Sequence, residues 1–183
     1  MIVIWLTGLP CCGKTTIANA LEKEIHTHNK IMSTMMEPFD PYGVQVIDGD
    51  SVRDFVQNQD FSPEGRRRHL DYISLAANLL IKHNIITICS FVSPDREQRN
   101  KIINRLGKGN IIEVFVRCSV YKCIERDVKG MYKKALTGEI KDFTGVSAPY
   151  EEPLNPDIVV DTETQSLDEC VNIILKYIGI PND

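Results

Sequence analysis

The sequence predicts an α/β fold of three layers: a mainly parallel five-stranded sheet with helices on both faces. Five apolar runs of strand length recur along the chain, and segments with helical apolar spacing fall between them. Each run is apolar at successive positions, the pattern of a strand covered on both sides. The length, 183 residues with 43% hydrophobic and 25% charged, suits a single domain over 1–183 with a sizeable core and no need of staples.

The elements follow in order. The first run, Ile2–Thr7, enters a glycine-rich turn and then a helix from Thr15 to about His28, with Ile17, Ala18, Leu21 and Ile25 on one face. Residues 29–43, carrying Pro38, Pro41 and Gly43, read as a connection longer than most. Val44–Asp48 is the second strand. A long helix opens at Ser62-Pro63, with Ser as N-cap and Pro in the first turn, and turns Leu70, Ile73, Ala77 and Leu80 inward. Ile85–Ser90 is the third strand; Ser93-Pro94 repeats the start signal and Gly107 supplies a stop. Ile111–Val116 and Ile158–Asp161 complete the set. Between those two, residues 137–157, with Gly138, Gly145 and three prolines, read as part of a mobile lid at about 129–157. The last helix opens at Ser166, with Glu169 at capping-box spacing.

Composition excludes several functions. A net charge of −4 and a pI near 5.6 disfavour nucleic acid as a partner. The opening stretch MIVIWLTG has no charged leader and is too short to span a bilayer, so we expect no membrane partner and a cytoplasmic setting. Six cysteines do not make a disulfide framework here: Cys11 and Cys12 are neighbours, and Cys89, Cys118 and Cys170 sit in or beside apolar runs. There is no CxxC, and the four histidines lack zinc-ligand spacing. Oligomeric state is not legible, and a homodimer stays open.

Chemistry concentrates first at Gly8-Leu9-Pro10-Cys11-Cys12-Gly13-Lys14-Thr15, which matches G-x-x-x-x-G-K-[ST] between a strand and a helix. In such a P-loop the backbone N–H groups curl around phosphate and the helix dipole assists; the following Thr16 belongs to the same helix start. Lys14 is placed to reach the β- and γ-phosphates of ATP, and Thr15 to offer its hydroxyl to Mg²⁺. The cysteines are then spacers, and Pro10 removes one N–H from the cradle. The third strand ends in Ser90 and supplies no acid. Asp50, or Asp48, of VQVIDGDSVR is therefore the candidate for positioning Mg²⁺ or accepting a hydroxyl proton; an Asx turn around Gly49 accounts for the same residues structurally. Three arginines open the helix in FSPEGRRRHL against its dipole, and an anionic acceptor explains at least Arg66; Arg67 and Arg68 read as a solvated face. Arg126, Lys129, Lys133, Lys134 and Lys141 gather positive charge beside the lid, where closure over phosphates would use it.

Taken together, GLPCCGKTT, DGDSVR, FSPEGR, SFVSPDREQR, IEVFV, RDVKGMYKKALTGEIKDFTG, PYEEPLNP and VVDT resemble the adenylylsulfate kinase (APS kinase) family, in order and over nearly the whole chain. The resemblance implies a nucleotide-kinase-like P-loop fold and Mg²⁺-ATP as donor. It also implies transfer of the γ-phosphoryl group to the 3′-hydroxyl of adenosine 5′-phosphosulfate (APS), giving PAPS. It places Arg126 on the donor side with the P-loop, and Asp48, Arg53, Arg66, Lys129 and Lys133 on the acceptor side, the two early arginines at the phosphosulfate. Phe61 and Phe143 would sandwich the adenine, and Ser93 falls where the family has a phosphoserine annotation. No base adjoins Ser93 in the sequence, so direct in-line transfer assisted by Asp50 is the expected route, with Ser93 lining the site. The chain departs from the family's Asn at His69, its acid at Gly65 and its Ser-Gly at Pro10-Cys11, and the segment from Arg53 to Phe61 is one residue short. These changes leave two rivals: a kinase for another charged nucleotide, such as a cytidine diphosphate derivative, and a nucleotide-binding module without catalysis.

Overall fold

The computed structural model describes residues 1–35, 42–58 and 60–180. Five strands form one sheet: β1 (Val3–Thr7), β2 (Gly43–Asp48), β3 (Ile85–Ser90), β4 (Ile111–Arg117) and β5 (Ile158–Asp161). The order is β2-β3-β1-β4-β5, and every neighbouring pair is parallel. All five expected strands are present, within a residue of their expected bounds. Among the described residues seven helices accompany them: α1 (Lys14–Met35), α2 (Gly49–Val56), α3 (Pro63–Lys82), α4 (Arg96–Leu106), α5 (Val120–Arg126), α6 (Met131–Leu136) and α7 (Leu167–Tyr177).

Alternation along β1 builds the layers. Ile4 and Leu6 face a core shared with Leu21 and Ile25 of α1 and Ile174 and Leu175 of α7. Val3 and Trp5 face the other way, onto Ile73 and Ala77 of α3 and Ile102 of α4. Because β1 is central, the chain leaves it toward β2 on one side and later crosses from β3 to β4 on the other. That reversal opens a crevice at the carboxyl ends of the strands, and the glycine loop after β1 lies there.

Three local readings change. Helix α1 runs on to Met35, because Asn29 is buried and its amide donates to the Tyr42 carbonyl at 2.7 Å, so the start of the expected 29–43 connection is helical. Pro38 and Pro41 lie outside the described residues. Second, the DGDSVR stretch continues from its strand end into α2, capped by Asp48, whose carboxylate accepts from the Asp50 and Ser51 amides. Third, α4 begins at Arg96 with Asp95 as its cap, accepting from Gln98 N, so Ser93 is not an N-cap. Ser93 takes φ 37 and spends its hydroxyl on distant partners instead. The Ser62 cap and the Ser166–Glu169 capping box are both formed as expected.

Candidate active site

The loop after β1 is shaped by close approach. A Cβ on Gly8 would stand 2.5 Å from the Val116 carbonyl oxygen of β4, so no other residue fits between the two strand ends. Its outward carbonyls are each held by a side chain. Tyr132 donates its hydroxyl to Pro10 O at 3.1 Å, Arg126 approaches Cys11 O at 3.5 Å, and Thr162 donates to Cys12 O at 2.9 Å. Arg126 in turn grips Thr162 through both its hydroxyl and its carbonyl, at 3.0 and 2.5 Å. These ties fix the backbone of the loop, in which a P-loop's amides are the groups that meet phosphate.

Lys14, 8% exposed, folds its ammonium over this loop, donating to Leu9 O at 2.7 Å and Gly8 O at 3.1 Å. It also reaches the Cys12 sulfur at 3.6 Å; burial raises that thiol's pKa above its usual range despite the cation beside it. All six cysteines are free, and Cys11 alone among them is not buried. Thr16 follows at the exposed start of α1. Among the described residues no three His, Cys, Asp or Glu side chains gather as a metal cluster. Cation ligands can still come from hydroxyl and carboxylate together. Thr15 donates its hydroxyl to Asp48 Oδ2 at 2.8 Å and lies 3.4 Å from the Ser90 hydroxyl. Parallel register sets this trio, since Asp48 and Ser90 are paired residues at the ends of β2 and β3. Its hard oxygen donors fit Mg²⁺.

Two residues on, Asp50 meets a different partner: the Lys129 ammonium, 2.5 Å from Oδ2, in an exposed ion pair that raises the lysine's pKa. The structure thus brings Asp48, not Asp50, to Thr15. Lys133 stays exposed, its backbone amide donating to Asp127 at the start of α6.

The remaining basic residues converge around α2 and α3. Arg53 donates to the carbonyls of Asn58 and Asp60, and its guanidinium lies 4.4 Å above the Phe61 ring. Arg66 donates to Thr144 Oγ1 at 3.1 Å and Asp142 O at 2.5 Å, joining α3 to the segment around Phe143. Burial and the neighbouring Arg66 both lower the pKa of Arg53. His69 lies one turn beyond Arg66, 5% exposed, its ring tilted against Phe91 at 5.9 Å, and its Nε2 has no partner. Burial first and Arg53 second lower its pKa to about 4, which keeps the imidazole neutral. The two phenylalanines sit in unlike places: Phe143 is buried edge-on to Tyr132 at 5.0 Å, whereas Phe61 is 47% exposed under Arg53.

Ser93 is 3% exposed; it accepts from Trp5 Nε1 at 3.1 Å and donates to Thr7 Oγ1 at 2.9 Å, with no basic group on its hydroxyl. Arg99 fixes the same turn from below, donating to Ser93 O and Glu151 O, both at 2.6 Å, while its Nε pairs with Glu113 at 2.9 Å. Tyr150 shares its hydroxyl with Thr7 at 2.9 Å. Arg99, Tyr132, Tyr150 and Thr162 lie within the stretches that carry the family resemblance but were not singled out as site residues, since each acts on a partner far away in sequence.

The adenylylsulphate kinase family model matches residues 1–161. The chain belongs to this family. It is 41% identical over 182 residues to the adenylyl-sulfate kinase of Oceanobacillus iheyensis, covering 96% of this chain and 83% of that protein. Identity to the Thermodesulfovibrio yellowstonii adenylyl-sulfate kinase is 42% over 177 residues, covering 96% and 82%. Among solved structures, the Mycobacterium tuberculosis APS kinase CysC in complex with AMPPNP and APS is similar, with TM-score 0.81 and 30% identity over 97% of this chain and 96% of that one. A hexameric APS kinase from Thiobacillus denitrificans shares the fold, with TM-score 0.66 and 23% identity over 99% of this chain and 30% of that one.

Proposed function

We propose that this member of the adenylyl-sulfate kinase family transfers the γ-phosphoryl group of Mg²⁺-ATP to the 3′-hydroxyl of APS, yielding PAPS and ADP. The carrying observation is that one short stretch, residues 48–53, joins both halves of the reaction: Asp48 touches the P-loop Thr15, while Arg53 belongs to the basic cluster with Arg66. In this reading the loop amides and Lys14 hold the triphosphate and stabilise charge on the transferring group. Thr15 and Asp48 would hold Mg²⁺, which when bound would supply positive charge beside the phosphates. Asp50 leaves Lys129 to orient the acceptor hydroxyl and take its proton. Arg53 and Arg66 bind the phosphosulfate, Phe61 and Phe143 flank the adenine, and Lys129 and Lys133 close with the lid. Arg126 serves the donor side by holding the loop against Thr162. Transfer is direct: Ser93 has its hydroxyl committed to Trp5 and Thr7 and no base to activate it, so it lines the site rather than carrying phosphate.

The test is ADP release from Mg²⁺-ATP in the presence of APS, AMP and cytidine diphosphate derivatives in turn. Stimulation by APS alone is expected; stimulation by a cytidine nucleotide in its place, or none at all, overturns the assignment. A cytoplasmic setting belongs to the same proposal, since free thiols and an ATP donor suit a reducing, ATP-rich compartment. So does a homodimer, which sedimentation of the purified chain checks; a lone monomer would remove it.

A further inference from the structure

Among the described residues, His69 is the one ionisable side chain in the acceptor region whose buried polar atom has nothing to bond. Native interiors rarely leave such an atom unpaired, so each one calls for a partner such as a water, an ion or a ligand. The surroundings define that ligand's charge. Arg53 faces the imidazole from α2, Arg66 precedes it by one turn on α3, and the Phe91 ring packs on it from the end of β3. The carboxylates nearby act on the arginines instead: Asp60 and Asp50 on Arg53, Asp142 on Arg66. One guanidinium acting on an uncharged, unpartnered imidazole, with a second one a helical turn away, makes a site for an anion.

Resting on the acceptor reading above, we propose that His69 is a proton-linked specificity residue: its imidazole takes up a proton as the phosphosulfate anion binds beside Arg53 and Arg66, and hydrogen-bonds to that anion. Before binding, burial and the arginine field oppose the proton. An arriving anion reverses the field and supplies an acceptor for Nε2–H, so the charged form becomes the favoured one. The asparagine of the resembled family has no proton to gain, which makes the linkage a property of this chain. Its sign follows: a group whose pKa rises on binding makes binding tighter as pH falls, by at most about tenfold per pH unit. The phosphosulfate itself has no proton that titrates between about pH 6 and 8, so the slope belongs to the protein.

The experiment is calorimetric titration of APS into the protein bound to a non-hydrolysable ATP analogue and Mg²⁺. It is run at several pH values, and in two buffers of different ionisation enthalpy so that protons are counted directly. Wild type is expected to take up a fraction of a proton per APS and to bind several-fold more tightly near pH 6 than near pH 8. His69→Asn and His69→Gln should bind APS with no uptake and a flat pH profile, and analogue affinity in each variant reports whether it is folded. Uptake that persists in the folded variants, or is missing in wild type while APS still binds, overturns the role of His69 and leaves the kinase assignment standing. Failure of wild type to bind APS at all overturns the acceptor reading, and this inference with it.

Discussion

Lys14 holds its ammonium against main-chain carbonyls of its own loop, and a triphosphate offers that same cation far stronger acceptors. Lys14→Ala is accordingly expected to lower kcat with APS by at least about a hundredfold; turnover within a few-fold of wild type would remove the loop from the mechanism. His69 makes a second prediction, on stability. Its pKa falls from 6.5 to about 4 on folding, so the unfolded chain binds the proton first as pH drops. Stability from this group is complete above about pH 6.5 and declines toward pH 4, by up to about 3 kcal/mol. Urea melts at pH 7 and pH 5 should show about 2 kcal/mol of that loss in wild type and none of it in His69→Asn; an equal pH response in both would mean the imidazole is not buried neutral. Single residues were legible where the chemistry is contiguous. The P-loop could be read because its donors follow one another along the chain, but Asp48 and Asp50 could not be separated, since only the β2–β3 register decides which of them meets Thr15. Ser93 looked like a cap because Ser-Pro is a local signal, and Trp5, Thr7 and Arg99 override it from far along the sequence.

The joint between α2 and α3 explains one departure from the family pattern. At Gly65 a Cβ would meet the Asp60 carboxyl group, so this chain brings an acid to that spot from five residues upstream, and a larger residue at 65 would have to displace it. Gly65→Ala would ordinarily stabilise a helix by up to about 1 kcal/mol. Here the expected result is no gain, with weaker APS binding as Asp60 is displaced from beside Arg53. Combining it with Asp60→Ser should recover the helix gain, and a thermal double-mutant cycle that shows additivity would refute the contact. Phe143 carries a similar lesson. It packs edge-on against Tyr132, whose hydroxyl holds the Pro10 carbonyl. Phe143→Ala should therefore cost about 3 kcal/mol in stability as well as weaken APS binding; an unchanged melting curve would place the ring outside the core. Helix α2 was missed because it is only eight residues long and starts on Gly49 directly after the strand, where Asp-Gly-Asp reads as a turn, although Val52, Phe55 and Val56 have helical spacing; α1 was cut short because the Asn29–Tyr42 bond that extends it is not a local signal.

At the scale of the molecule, strand count and parallel direction could be read from five apolar runs with helices between. Strand order could not, since it depends on which crossover passes which face. The most buried charged side chain among the described residues also escaped: Arg99, 2% exposed, binds Glu113 on β4 and the carbonyls of Ser93 and Glu151. Burial raises the Glu113 pKa even though Arg99 opposes the shift. Removing one partner of such a pair strands the other. Arg99→Met should cost about 3–5 kcal/mol and speed amide exchange over residues 149–153, whereas exchange unchanged there would show that Glu151 is held by other means. Arg99 also gives the segment between Leu136 and Glu151 two moorings, for Arg66 holds Asp142 and Thr144 at the near end. Beyond the far mooring, β5 is zipped onto β4 and α7 is sealed against α1. The exposed arc at 137–139 is the place where a protease can sever the backbone without undoing any of these ties. The two fragments should then co-elute as one particle and part only in denaturant.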